Sequence, residues 1–462
     1  MNTIKDYAKF IGSFLISFVL YYFTTDILTT PERKGLLVLT LAASLWLTQP
    51  IPLAATALLI PIVQVLLGVQ ELEPAITPFF DPVILLLLGG FLLAVMVEKY
   101  ELDKYVAHKI VSNVEASARG IILILMFTTS ILSMWISNTA STALMIPLVM
   151  KLCQGTGEEE GNFAKISVLS IAYSATAGGL GSILGTTTPA MAVSFVKNMT
   201  EYDISFLEWM IYGVPVTLIM VLVIWIIVFR IFPTEVTDLS YKSESQKKLD
   251  SEQKTGVVIF FTAVIMWITS KIPGPLASRI GWSGHGLGTA MVSGIVAILL
   301  FLTGLLDSDD ISEARWSTML LIGGSLSLGS SMSVSGLDNR ISELLIPLTS
   351  GMPTIITLFF VGFFGLGISI IASNTASAGI ILPIAINLGK PTGIDPIILG
   401  ILVGITTGLD FMLPVGTPPN AIAYSTEKVE MGDMIKAGIL LDISGIIITV
   451  LLAYLVWPLV LG

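Results

Sequence analysis

The chain has 462 residues, 54% of them hydrophobic and only 12% charged, with a formal net charge of −10. Soluble domains carry roughly a quarter charged residues, so this balance excludes a soluble enzyme and a basic nucleic-acid-binding protein and identifies an all-α polytopic membrane protein. Cys153 is the only cysteine, which excludes intrachain disulfides and thiolate metal clusters.

Apolar stretches of spanning length recur along the chain, among them 10–28, 83–97, 206–231, 257–270, 287–305 and 435–461. The ten-residue alternation of a membrane β-barrel is absent. Residues 1–34 read as a first transmembrane helix, because no small-residue cleavage site follows the stretch 5–22. A first repeat is expected over 35–232 and a second over 256–462, joined by a polar cytoplasmic linker at 233–255.

The sign of duplication is a tripeptide. Ser133-Met-Trp-Ile-Ser137-Asn138-Thr139-Ala140-Ser141 and Ser369-Ile-Ile-Ala-Ser373-Asn374-Thr375-Ala376-Ser377 share one apolar frame, with Pro147 and Pro383 each six residues beyond the last Ser. Other features fall into register around them. Leu88-Gly89-Gly90 matches Ile322-Gly323-Gly324, Leu102-Asp103 matches Leu337-Asp338, and Leu184-Gly185-Thr186 matches Val415-Gly416-Thr417.

If each Ser-Asn-Thr region, about 121–150 and 354–387, is a re-entrant hairpin, then 16 of the 23 Lys and Arg residues fall on the side of the N-terminus. That bias predicts a cytoplasmic N-terminus by the positive-inside rule. The resulting eleven spans invert the second repeat relative to the first.

Polar side chains at membrane depth are costly unless satisfied, so two equivalent Ser-Asn-Thr clusters read as a binding site. Neither tip nor either Gly-Thr break contains Lys, Arg or His, so a bound anion relies on backbone N–H groups, hydroxyls, Asn amides and helix N-termini. Half-helices are expected to begin after Thr139, after Thr375, at Pro189 and at Pro418-Pro419. The opposing carbonyls, with Ser and Asn oxygens, suit Na⁺. Two clusters suit a substrate with two carboxylates.

These motifs resemble those of the divalent anion/sodium symporter family, the INDY-type dicarboxylate transporters, over essentially the whole length. The resemblance rests on Trp135-Ile136-Ser137-Asn138-Thr139, Ser373-Asn374-Thr375 and Gly416-Thr417-Pro418-Pro419-Asn420. It implies a homodimer of eleven-span protomers with inverted repeats, lying in the cell membrane in contact with lipid and working as an elevator. It also implies that Asn138, Thr139, Thr186, Ser373, Asn374, Thr375, Thr417 and Pro418 contact a C4 dicarboxylate such as succinate, malate or fumarate. Ser133, Ser137, Asn138 and Gly185 would then hold one co-transported Na⁺, and Ser369, Ala372, Asn374 and Gly416 a second. No organic cofactor is expected. A sodium-independent dicarboxylate exchanger and a citrate or sulfate carrier are the alternatives.

The first-half break, Gly185-Thr186-Thr187-Thr188-Pro189, lacks the Pro-Pro-Asn run of the second. Asp410, read as lying in an apolar helix before Gly416, is a candidate for an additional cation or a proton, against a purely structural role. Asp442 reads as a helix-packing residue. His108, His285 and the acidic run Glu158-Glu159-Glu160 fall outside the apolar spans, so the nucleophile-and-base logic of a hydrolase finds no partners.

Overall fold

The computed structural model describes residues 4–111, 117–154, 156, 158, 161–237, 248–349 and 351–461, and every extended regular element among them is helical. Residues 238–247 of the expected linker, with Glu159 and Glu160 of the acidic run and the side chain of His108, lie outside that set. The first part of the chain forms α1 (Ile4–Phe23), α2 (Thr30–Thr48), α3 (Leu53–Leu66), α4 (Leu72–Ile76), α5 (Pro82–Lys99) and α6 (Leu102–Val111). The first Ser-Asn-Thr region follows as α7 (Ala118–Trp135) and α8 (Asn138–Cys153), then α9 (Asn162–Gly178), α10 (Thr187–Thr200) and α11 (Phe206–Ile231).

The second part comprises α12 (Ser251–Ile268), α13 (Gly274–Ile280), α14 (Thr289–Leu302), α15 (Trp316–Ser335) and α16 (Leu337–Thr349). The second Ser-Asn-Thr region forms α17 (Thr354–Ile371) and α18 (Asn374–Thr392), followed by α19 (Pro396–Thr406), α20 (Pro418–Ser425), α21 (Met431–Leu455) and α22 (Trp457–Leu461). Gly336, at φ +76°, ends α15 in the left-handed conformation open to glycine, and α16 leaves at 76° to it.

Among the described residues, six helical segments are long and apolar enough to cross a membrane: Leu72–Lys99, Ala118–Trp135, Asn162–Gly181, Phe206–Ile231, Thr354–Ile371 and Met431–Leu455. The bent pair α15 and α16 raises the number to seven. The eleven spans expected from sequence include the shorter apolar helices α3, α14 and α19, which fall below that length. Many large apolar side chains face outward, including Leu440, Ile443, Ile447 and Leu451 at helical spacing on α21. Such a stripe is stable against lipid chains and costly against water.

The interior depends on glycine. A Cβ on Gly89 of α5 would lie 2.5 Å from the Ser293 carbonyl of α14, and one on Gly324 of α15 would lie 2.4 Å from the Ala57 Cβ of α3. Each Gly-Gly helix thus packs on a helix from the other half of the chain, at backbone distance. The same exchange surrounds the broken helices. Helix α9 packs against α7, α8 and the late α20, whereas α19 packs against α17, α18 and the early α10. Trp135, Phe206 and Trp267 stack in series at 5.9 and 5.8 Å, joining the first tip to α11 and α12.

The replacement Gly89→Val forces β-branched bulk onto the Ser293 backbone and is expected to cost about 1–3 kcal/mol. Thermal unfolding of the detergent-purified protein should report it, with Gly12→Val, where nothing lies within 4 Å, unchanged as the control.

Candidate functional site

Each tip is built by interrupting a helix for two residues. In the first, Ile136 (φ −112°, ψ 172°) and Ser137 (φ −67°, ψ 151°) are extended between α7 and α8. In the second, Ala372 (φ −119°, ψ 174°) and Ser373 (φ −62°, ψ 135°) repeat that geometry between α17 and α18. Ser137 caps its helix, its Oγ accepting from the Ala140 N–H at 3.0 Å, which satisfies one donor the break leaves orphaned. The helices begin at Asn138 and Asn374, two residues before the starts expected after Thr139 and after Thr375; α10 begins at Thr187, two before Pro189, and α20 at Pro418.

Behind each tip a serine gathers oxygens. Ser133 Oγ lies 2.6 Å from Asn138 Oδ1 and 2.7 Å from the Ala175 carbonyl of α9. Ser369 Oγ lies 2.9 Å from Asn374 Oδ1 and 2.6 Å from the Thr407 carbonyl at the end of α19. Both serines are fully buried. In each cluster three oxygens share one hydroxyl proton, so each has more acceptor capacity than the protein supplies donors for. An oxygen set of this kind matches a hard cation. The Ala175 and Thr407 carbonyls were not among the residues expected from sequence, because backbone oxygens carry no side-chain signature.

The two tips and two breaks converge on one cavity of about 550 Å³. Ser137, Asn138, Thr139, Gly185, Thr186, Ala372, Ser373, Asn374, Thr375, Gly416 and Pro418 all line it. Of the residues expected at the site, Ser133 and Ser369 sit behind the asparagines, and Thr417 is buried, its Oγ1 accepting from Asn420 N at 3.4 Å. Thr187, absent from the expected set, lines the cavity and bonds Thr375 through hydroxyls 2.6 Å apart. This contact ties the first break to the second tip. Thr176 and Thr417, with hydroxyls 3.4 Å apart, tie α9 to the second break.

The main departure from the sequence reading is Arg315. The tips and breaks lack basic residues, as expected, yet the guanidinium of Arg315 at the start of α15 lines the cavity, donates from Nη2 to Ser137 Oγ and lies 5.6 Å from the Phe91 ring centre. It is the one charged side chain among the described residues of the lining. Its distance in sequence from both Ser-Asn-Thr tips and both Gly-Thr breaks hid it. Arg315 also lines a smaller cavity of about 310 Å³, with Glu98, Lys99, Asp310 and Glu313. Lys99 is engaged there by Asp310 at 2.6 Å.

Asp410 also departs from expectation. It lies outside any helix, in the irregular segment between α19 and α20, with no exposed surface. Asp442 of α21 accepts from Phe411 N at 3.0 Å, in keeping with a packing role. His285 closes a loop, with Nε2 2.8 Å from the Met266 carbonyl.

Broken apolar helices around a polar cavity define a membrane transporter. The solved Alcanivorax borkumensis YdaH transporter shares the fold, at a TM-score of 0.61 and 14% identity, covering 83% of this chain and 87% of that one. The family model described as "Sodium:sulfate symporter transmembrane region" matches residues 7–462. The chain belongs to this family, the divalent anion/sodium symporters, and is a multi-pass membrane transporter and not an enzyme. Its relatives include a protein named "Sodium-dependent dicarboxylate transporter SdcS" in Staphylococcus aureus, 33% identical over 461 residues covering 93% of this chain and 87% of the relative. The SdcS of Staphylococcus saprophyticus is 30% identical over 482 residues, covering 98% and 91% respectively. An uncharacterized transporter of Haemophilus influenzae is 31% identical over 451 residues, 96% of each chain.

Replacing Ser133 or Ser369 by Ala removes the one proton shared within each oxygen cluster. Each change is expected to lower the stability of the cation-free protein by about 1–3 kcal/mol, read as a fall in the thermal unfolding midpoint measured without Na⁺. Since the clusters share no residue, the double variant should show close to additive losses.

Proposed function

We propose that this protein is a sodium-coupled importer of C4 dicarboxylates such as succinate, malate or fumarate, residing as a homodimer in the cell membrane. The observation that carries the reading is the single cavity on which both Ser-Asn-Thr tips and both Gly-Thr breaks converge, with an oxygen-rich pocket behind each tip. The names of the Staphylococcus relatives support sodium and dicarboxylate as the cargo.

In this reading Asn138, Thr139, Thr186, Ser373, Asn374, Thr375, Thr417 and Pro418 make up the dicarboxylate site, with one carboxylate at each tip. Most of them contact the anion directly. Thr417, buried beneath the lining, acts by capping α20 so that its first N–H groups face the substrate. The helix starts at Asn138, Asn374 and Pro418 contribute partial positive charge, and Arg315 adds a full one. Ser133, Ser137, Asn138 and Gly185 take one Na⁺; Ser369, Ala372, Asn374 and Gly416 take the other, with Ala175 and Thr407 adding their carbonyls.

Each asparagine serves both ion and anion, so filling one site orders the other. Two Na⁺ neutralise the dianion and allow it to leave water for a low-dielectric cavity, a step otherwise prohibitive. Any further positive charge that moves is worth about 2.3 kcal/mol per 100 mV. Eleven spans in inverted repeats, with two re-entrant hairpins, would carry this site across as an elevator against the helices bearing Gly89 and Gly324. The N-terminus would then be cytoplasmic.

One observation favours the alternative of sodium-independent exchange: the Arg315 guanidinium already donates to Ser137 Oγ, beside the first oxygen cluster. A fixed cation there could replace one Na⁺.

The test is uptake of radiolabelled succinate into proteoliposomes under an inward Na⁺ gradient or equal K⁺, with and without internal dicarboxylate. Na⁺-dependent uptake into empty vesicles is expected. Uptake that ignores Na⁺ but requires internal dicarboxylate would replace symport by exchange, and uptake of citrate or sulfate alone would replace the substrate. Asn138→Ala and Asn374→Ala should each abolish uptake while thermal unfolding shows a folded protein, and normal uptake by both would overturn the assignment. Arg315→Gln should raise the KM for succinate about tenfold or more, as removal of a charged hydrogen-bonding partner does.

A further inference from the structure

The segment 407–417 between α19 and α20 buries a carboxylate with no partner. Asp410 is fully buried, and neither Oδ1 nor Oδ2 meets a hydrogen-bond donor. Asn420, on the first turn of α20 and equally buried, turns its Nδ2 to the carbonyls of Asp410 at 3.2 Å and Leu413 at 3.0 Å. Its Oδ1 is therefore directed away from those carbonyls and has no partner. Asp442, which holds the segment through Phe411 N, leaves its Oδ2 unpartnered and lies within electrostatic range of Asp410.

The carboxylate lies directly over Gly416. A Cβ on Gly416 would stand 2.2 Å from Asp410 Oδ2 and 2.5 Å from Oδ1, so glycine is needed there to admit the charge. No Lys or Arg forms an ion pair with Asp410 or Asp442 among the described residues. Buried carboxylates without donors or counter-charges are very unfavourable. The buried amide oxygen of Asn420, on the residue that binds the Asp410 and Leu413 carbonyls, is a further acceptor without a donor. The unpartnered atoms are all hard oxygens, and among the described residues no Cys or His joins them in a metal-holding group, which selects an alkali or alkaline-earth ion over a softer metal.

We propose that Asp410, with the Asn420 side-chain oxygen as co-ligand and Asp442 as a nearby second carboxylate, forms a cation site separate from the two tip pockets and taken by a third co-transported Na⁺. The site lies against Gly416, which lines the substrate cavity. An ion bound there would draw the 407–417 segment onto α20 and set the position of Pro418 at the cavity wall. The occupancy of the site thus becomes a condition for a formed anion site. The assignment of the ion as cargo rests on the sodium-coupled reading above; the existence of the site does not.

Equilibrium binding of radiolabelled Na⁺ to the detergent-purified protein tests it without requiring transport. Asp410→Asn, which keeps shape and loses charge, should bind one Na⁺ fewer per protomer than the unaltered protein. Asn420→Ala, which retains the carboxylate, should weaken one Na⁺ about tenfold. In proteoliposomes, Asp410→Asn should move one positive charge fewer per succinate. An unchanged Na⁺ count in a folded Asp410→Asn protein, against Na⁺-driven uptake by the unaltered one, would overturn this inference alone. The same count with a shifted pH profile of uptake would overturn it in favour of a proton. No Na⁺ binding by the unaltered protein would overturn it together with the sodium-coupled reading.

Discussion

Everything about the site depends on one arrangement: a buried serine hydroxyl whose single proton is shared among three oxygens at the mouth of a broken helix. Interrupting a helix at membrane depth exposes carbonyls on one side of the gap and N–H groups on the other, and lipid can satisfy neither. Here the gap is closed by neighbours. Ser133 and Ser369 reach across to carbonyls of α9 and α19, so each tip is held by a helix that packs on both of its arms. What remains after this bonding is an excess of oxygen behind the tip and an excess of N–H in front. An oxygen-rich face that suits a cation and an N–H-rich face that suits an anion follow as the two sides of one break.

The same logic explains the crossed packing. Helix α9 supports the first tip and α20, while α19 supports the second tip and α10. Each break helix is therefore anchored by the support of the opposite tip, and the bonds Thr187–Thr375 and Thr176–Thr417 fasten the exchange. Neither half can close its cavity alone. In the proposed sodium-coupled cycle, a ligand that orders one tip would act on the other through these contacts, which supply a physical route for coupling.

Arg315 alters the electrostatic picture drawn from the motifs. A cavity ringed by amides, hydroxyls and helix starts would hold an anion by partial charges alone, whereas the guanidinium adds a whole charge at one tip. It borders both the central cavity and the smaller one holding Glu98, Asp310 and Glu313. A group so placed can exchange a serine oxygen for a carboxylate as the site fills. The field is thus asymmetric between tips that their sequences make look alike.

The sequence by itself determined a good deal. Low charge and long apolar runs required a membrane protein, because lipid and not water must cover those side chains. The repeated Ser-Asn-Thr frame marked both tips, because polar groups at that depth stand out against an apolar background. Eleven of the fourteen site residues that the family resemblance implied line the cavity. Only the tertiary structure decided what had no local signature. The Ala175 and Thr407 carbonyls are backbone atoms, which any residue could provide. Thr187 and Arg315 become neighbours of the tips only through the packing of distant helices, and Asp410 leaves its helix because Asn420 and Gly416 give the chain another way to satisfy its backbone. Local pattern reports burial and periodicity; which oxygens converge on an ion depends on contacts between segments far apart in the chain.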